Sequence, residues 1–296
     1  MLRRHRKISA AIAVAGTLLG LAAAGPATIA SAAPSWQTHV CRGTPKSPGV
    51  LVGTYWNVLV RGLCEVSHGP AFVQHNVTVA PNGALIAAFG RWHSSLTVGH
   101  DVRIGPGASA ILGCEPAHFA CLDDPHHKRP TLASHDRIGE DLLAWHALGV
   151  VVHNSWFGHS IVDVGGGGGV TCKPTGLFAA FKSPAYTDYE DNWIGGSIWL
   201  KRIHSCWLGM LRNWVGWSAT VSSNKMADPD AMEVLTNVVR KDLTCWANRP
   251  AVQFGDSHGK PNRVGVHATY QCGFHVLKPN PAGQHKHYSH ISVHLY

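Results

Sequence analysis

Read for apolar and polar positions alone, the chain repeats a short phrase: apolar, Gly, any residue, small polar, apolar. It occurs as Val98-Gly99-His100-Asp101-Val102, Ile138-Gly139-Glu140-Asp141-Leu142 and Phe157-Gly158-His159-Ser160-Ile161. It continues as Ile194-Gly195-Gly196-Ser197-Ile198, Val215-Gly216-Trp217-Ser218-Ala219 and Val264-Gly265-Val266-His267-Ala268. Two copies lack the glycine, Val73-Gln74-His75-Asn76-Val77 and Val239-Arg240-Lys241-Asp242-Leu243. Asn also stands two residues before the anchor in four consecutive copies, at Asn192, Asn213, Asn237 and Asn262. After the phrase the pattern alternates, as in Val77-Thr78-Val79 and Val102-Arg103-Ile104. That period of two marks a strand with one buried face.

The anchors at 73, 98, 138, 157, 194, 215, 239 and 264 are separated by 25, 40, 19, 37, 21, 24 and 25 residues. Steps of ~20–25 residues suit one coil of a parallel β-helix, with each coil stacked on the last at ~4.8 Å. The spacing therefore predicts an all-β chain, a right-handed parallel β-helix (solenoid) with two inserted loops, an N-terminal cap and a C-terminal tail. The long steps hold the insertions, one over Cys114 to Pro130 and one from Gly165 to Asp191. The glycine permits a close approach that a Cβ would hinder. The asparagine suits either an αL corner or a side-chain ladder. A leucine-rich repeat would need regular leucines, and a sandwich would need turns every 8–12 residues with no long-range register. Helical periodicity is suggested only over Asp230 to Val239. The expected organisation is 1–32 signal peptide, 33–63 cap, 64–274 β-helix and 275–296 His-rich tail.

The repeats resemble those of secreted actinobacterial β-helix proteins, a family of uncharacterised function. The resemblance also rests on Gly165-Gly166-Gly167-Gly168-Gly169-Val170-Thr171-Cys172, Asp188-Tyr189-Glu190-Asp191-Asn192 and Ala227-Asp228-Pro229-Asp230. The apolar-Gly-Asp-apolar coils are distantly similar to those of bactofilins. Neither resemblance implies catalytic residues.

Charge and cysteine bear on location. Arg3, Arg4, Arg6 and Lys7 precede an apolar run from Ile8 to Ala24 and a small-residue site at Ala30-Ser31-Ala32. That order reads as a secretory signal peptide, after whose removal no stable membrane span is expected. Of 25 basic and 17 acidic residues, removal of those four basic residues leaves 21 against 17, so the formal charge falls from +8 to +4. A modest excess with no basic run argues against nucleic acid as a partner. All eight cysteines lie beyond the signal, and none forms a C-x-x-C pair, so disulfides are expected in an exported chain. Coil register sharpens the pairing. Cys245 and Cys272 lie six and eight residues after their anchors, Cys172 and Cys206 fifteen and twelve. Matching phases on neighbouring coils satisfy the Cα limit of about 7 Å. The expected pairs are Cys41–Cys64, Cys114–Cys121, Cys172–Cys206 and Cys245–Cys272.

Candidate chemistry comes next. Asp188, Glu190, Asp191, Asp230, Glu233 and Asp256 precede successive anchors, where stacking could gather them to hydrolyse a glycoside or bind calcium. Their other reading is turn chemistry, as in Asp228-Pro229-Asp230. A lyase would also need a base, for which Arg202, Arg212 and Arg240 are the candidates. Trp193, Trp199, Trp214, Trp217 and Trp246 recur along the coils and could bind sugar rings or serve the core. His285, His287, His290 and His294 in the tail could converge on one ion, but ordering a tail is costly. A solvated tail with incidental metal affinity is the expected reading; His126-His127 beside Asp123-Asp124 are read the same way. Gly165 to Gly169 lacks the Gly-Lys-Ser/Thr of a phosphate loop, and no Gly-x-Ser-x-Gly elbow exists. The expectation is an extracellular or cell-envelope binding protein without enzymatic activity or resident cofactor, presenting a sheet face to a glycan or protein. Its alternative is a polysaccharide lyase or glycosidase.

Overall fold

The computed structural model describes residues 37–253 and 259–273. The proposed signal peptide, Trp36, Asp256 and the tail histidines lie outside the described residues. Within them the chain winds as a parallel β-helix with three faces. All eight anchors stack in register on one face: Val73 on Val98, Ile138, Phe157, Ile194, Val215, Val239 and Val264 in turn. Tyr55 precedes Val73 in the same column. The repeating phrase is therefore a coil phase, as its spacing predicts. The second face carries the alternating strands that follow each phrase, such as Ile161–Val164, Ile198–Lys201 and Ala219–Ser222. The third carries Gly149–His153, Thr187–Glu190, Leu208–Leu211 and Met232–Leu235. Asp230 to Val239 thus contributes two strands in place of the helix its periodicity suggests; repeated lateral pairing outweighs a local pattern. Stacking already begins at Thr38–Gly43, which pairs with Asn57–Glu65.

Each strand sends alternate side chains inward. Val58, Val77, Val102, Leu142, Ile161, Ile198, Ala219 and Leu243 form one such buried column. The motif glycine has a separate cause. A Cβ on Gly195 would run into the carbonyl oxygen of Gly158 on the preceding coil, and Gly158 stands likewise over Gly139. Gln74 and Arg240 occupy the same slot with side chains and keep the inter-coil hydrogen bond, to the carbonyls of Tyr55 and Val215. Glycine is favoured there, without being obligatory.

The asparagines form a buried ladder. Nδ2 of Asn192 donates to Oδ1 of Asn213 (3.0 Å), Asn213 to Asn237 (3.0 Å) and Asn237 to Asn262 (2.8 Å). The αL conformation belongs to the residue before Asn192, Asn213 and Asn237, at Asp191, Arg212 and Thr236. A second ladder, Asn224 to Asn248 to Gln271, runs along another corner. All four expected disulfides form, with Cα separations of 6.4, 5.0, 4.6 and 5.2 Å.

A tyrosine–aspartate pair also lies inside the solenoid. Tyr189, fully buried, donates its hydroxyl to Oδ2 of Asp163 at 3.0 Å. Burial pushes the Asp163 carboxyl up to about 7, and the tyrosine hydrogen bond pulls against that rise. A raised folded pKa means that stability is fully present below the unfolded value near 4 and is lost as pH rises through about 7. Tyr189→Phe removes the bond that favours the ionised form. It should cost about 1–3 kcal/mol at pH 8 and clearly less at pH 4.5. Urea midpoints of both proteins at the two pH values check this; an equal cost at both would refute it.

Candidate functional site

Both insertions fold against the outer side of the third face. On early coils that side is apolar, with Ile86, Ile111 and Val151 packed under Phe119, Leu122 and Phe178. One coil later it turns polar. Register places His153 beside Glu190, and Val151 beside Asp188, then Gly209, then Glu233. Since Val150 and Val152 point into the core, His153 projects outward under the first insertion. There Phe119 stacks on its imidazole at 4.4 Å and 8°, in a loop closed by Cys114–Cys121.

Charge is concentrated in this nest. Arg212 grips Asp191 through Nε (2.8 and 2.9 Å) and a terminal nitrogen (2.7 Å), and also contacts Glu190. Burial alone would raise the Asp191 carboxyl, but this guanidinium fork and a hydrogen bond from Glu115 bring it below the usual range. Glu115 is pushed up to about 8 by burial and by Asp191, so it carries the proton between them. Burial also lifts Asp188 and Glu190 to about 8 and holds His153 neutral, down to about 4. His153 Nε2 lies 3.2 Å from Asp188 Oδ2, and Nδ1 lies 3.8 Å from Glu190 Oε2. Neither ring nitrogen makes a hydrogen bond, and Asp188 Oδ1 and Glu115 Oε1 are similarly unsatisfied. Buried orphans of this kind call for a specific explanation.

The structure divides the acidic residues singled out from sequence. Asp188, Glu190 and Asp191 converge, with Arg212 as their basic neighbour. Glu233 is buried farther along the same column, accepting from Trp207 Nε1 at 3.3 Å. Asp230 belongs to the Asp228 turn, where its backbone N–H donates to Asp228 Oδ1. Asp123 and Asp124 accept loop N–H groups from Gly90, Arg91, His126, Thr131 and Leu132. His153 and Glu115 escape a reading from sequence, although His153 occupies the same phase as Glu190, four residues before its anchor.

Beside the nest, at the corner leading to the anchor face, runs a groove of about 350 Å³ lined by His135, Arg137, Asn154, Trp156, Asp191 and Trp193. One wall is an indole stack. Trp156 and Trp193 lie 5.2 Å apart at 4°, Trp193 and Trp214 4.9 Å apart at 5°. Each precedes its anchor by one residue, so Trp156 was discoverable as a third copy of one slot. Trp199, Trp217 and Trp246 do not join them. Trp199 and Trp246 belong to second-face strands, and Trp217 is exposed with Lys241 Nζ 6.0 Å from its ring centre.

The chain is thus a disulfide-stapled parallel β-helix with a buried His-carboxylate nest beside an aromatic groove. Comparison with family models, curated proteins and solved structures finds no match. Four disulfides fit an oxidising, extracellular environment, and no helix among the described residues is long and apolar enough to cross a membrane.

Proposed function

We propose that this is a secreted, non-enzymatic binding protein whose aromatic groove takes an extended extracellular glycan lying along the helix axis. The observation carrying this reading is the Trp156–Trp193–Trp214 column beside polar corner residues. Stacking covers the faces between the rings, so the column offers a ladder of indole edges at one-coil spacing. Trp156 and Trp193 remain 36% and 37% exposed, enough to contact a partner. Asn154 also lines the groove from an αL corner, where an amide suits sugar hydroxyls. An extended polymer would meet similar chemistry on successive coils, which favours a linear glycan over a compact ligand. The predicted signal peptide and the disulfides support binding outside the cell, as does the resemblance to secreted actinobacterial β-helix proteins.

The lyase or glycosidase reading gains from the convergence of Asp188, Glu190 and Asp191 with Arg212. It loses on access. His153, Asp188 and Glu190 are 2%, 4% and 8% exposed beneath Phe119, so a sugar ring cannot reach the paired acids without displacing the first insertion. A glycan array followed by titration of the best binder tests the proposal. Trp193→Ala is expected to weaken binding about tenfold or more, the loss of one aromatic anchor, with no reducing ends or unsaturated products released. Unchanged affinity, or no glycan bound by the wild type, overturns the binding reading; product release establishes the enzyme.

A further inference from the structure

The buried nest leaves polar atoms without partners, both ring nitrogens of His153 and Oδ1 of Asp188. Asp188 and Glu190 face that imidazole, with Arg212 at the Glu190 end. Isolated buried carboxylates are expensive unless paired, protonated or bound to a metal. We propose that His153, Asp188 and Glu190 hold one divalent transition-metal ion of the zinc type.

Geometry supports the assignment. One ligand atom from each residue lies within 4.8 Å of the others, and all three residues are buried. Zinc bonds of roughly 2.0–2.2 Å to nitrogen and oxygen require these atoms to close by about 1 Å, within the reach of side-chain rotation. His153 is 98% buried with both ring nitrogens unsatisfied, and Asp188 Oδ1 is a second orphan in the same nest. An ion would satisfy a ring nitrogen and a carboxylate oxygen together. Arg212 engages Oε2 of Glu190, which leaves its other oxygen to ligate. An imidazole with two carboxylates suits zinc and its neighbours, whereas calcium prefers six to eight oxygens. The ligands also come from two adjacent coils under a disulfide-closed loop. The ion would therefore tie coil to coil beneath the first insertion.

The tail histidines would bind zinc on their own account, so the test uses full-length protein with His285, His287, His290 and His294 changed to Gln. After chelator treatment and dialysis against zinc, one zinc per chain is expected by elemental analysis, with a higher Tm. His153→Gln and Asp188→Asn should each weaken zinc binding at least about 100-fold, beyond the loss typical of an outer-shell partner. Trp193→Ala should leave it unchanged. Cobalt titration of the tail-substituted protein, which needs no folded variant, should give visible absorption bands saturating at one equivalent. Absence of those bands, zinc well below one per chain, or full zinc retention in both variants overturns the proposal.

Discussion

Asn213→Ala is expected to destabilise the solenoid by about 4 kcal/mol, at the upper end of single-residue effects. Asn213 sits in mid-ladder and is 1% exposed. Its Oδ1 accepts from the backbone N–H and the Nδ2 of Asn192, and its Nδ2 donates to the Tyr189 carbonyl and to Asn237 Oδ1. Alanine removes all four partners at once and supplies no route for water to replace them. Each buried group left unsatisfied costs about 1–3 kcal/mol, and partial relaxation keeps the sum near the lower end. Asn262→Ala, at the ladder's last and only partly buried rung, should cost about half as much because water can reach its neighbours. Urea midpoints at constant m report the comparison. A cost below about 1 kcal/mol for Asn213→Ala would mean that the ladder follows the fold without stabilising it.

Arg212→Ala should cost about 3–5 kcal/mol in chelator-treated protein, the range for removing one partner of a buried ion pair. The substitution strands Asp191 and Glu190, which Arg212 holds with the guanidinium fork. Its own side chain is only 22% exposed, so solvent screening offers limited relief. Arg212→Lys keeps the charge but loses the planar fork and should fall between the two. Arg202 supplies the control. It shares the αL corner conformation, with φ of 56° against 55°, yet is exposed on another corner. Arg202→Ala should therefore change stability by no more than about 0.5 kcal/mol. Equal effects at the two positions would show that corner geometry, rather than charge pairing, sets the cost.

The contrast between these two arginines shows where a reading of the sequence stops. Arg202, Arg212 and Arg240 stood together as candidate bases, with nothing in the sequence to choose between them. Only stacking separates them, since Arg212 reaches the coil corner where Asp191 sits and Arg202 does not. Asp188 and Asp230 divide in the same way: both precede an anchor, but one faces the covered side of the third face and the other belongs to a turn.

What the sequence determined by itself is whatever repeats. In a solenoid each coil packs chiefly on its neighbours, so aligning copies of the phrase is equivalent to writing down tertiary contacts. That is why the anchor column, the Asn192–Asn262 ladder and the Cys172–Cys206 and Cys245–Cys272 pairs were legible without coordinates. Tertiary structure alone decided what does not repeat. The insertions have no counterpart on other coils, and nothing in their spacing shows that the loop carrying Glu115 and Phe119 covers His153. The nest exists because that cover excludes water. Burial, which no local pattern records, turns an ordinary run of Asp188, Glu190 and Asp191 into a set of carboxyls that must find protons, Arg212 or a metal ion.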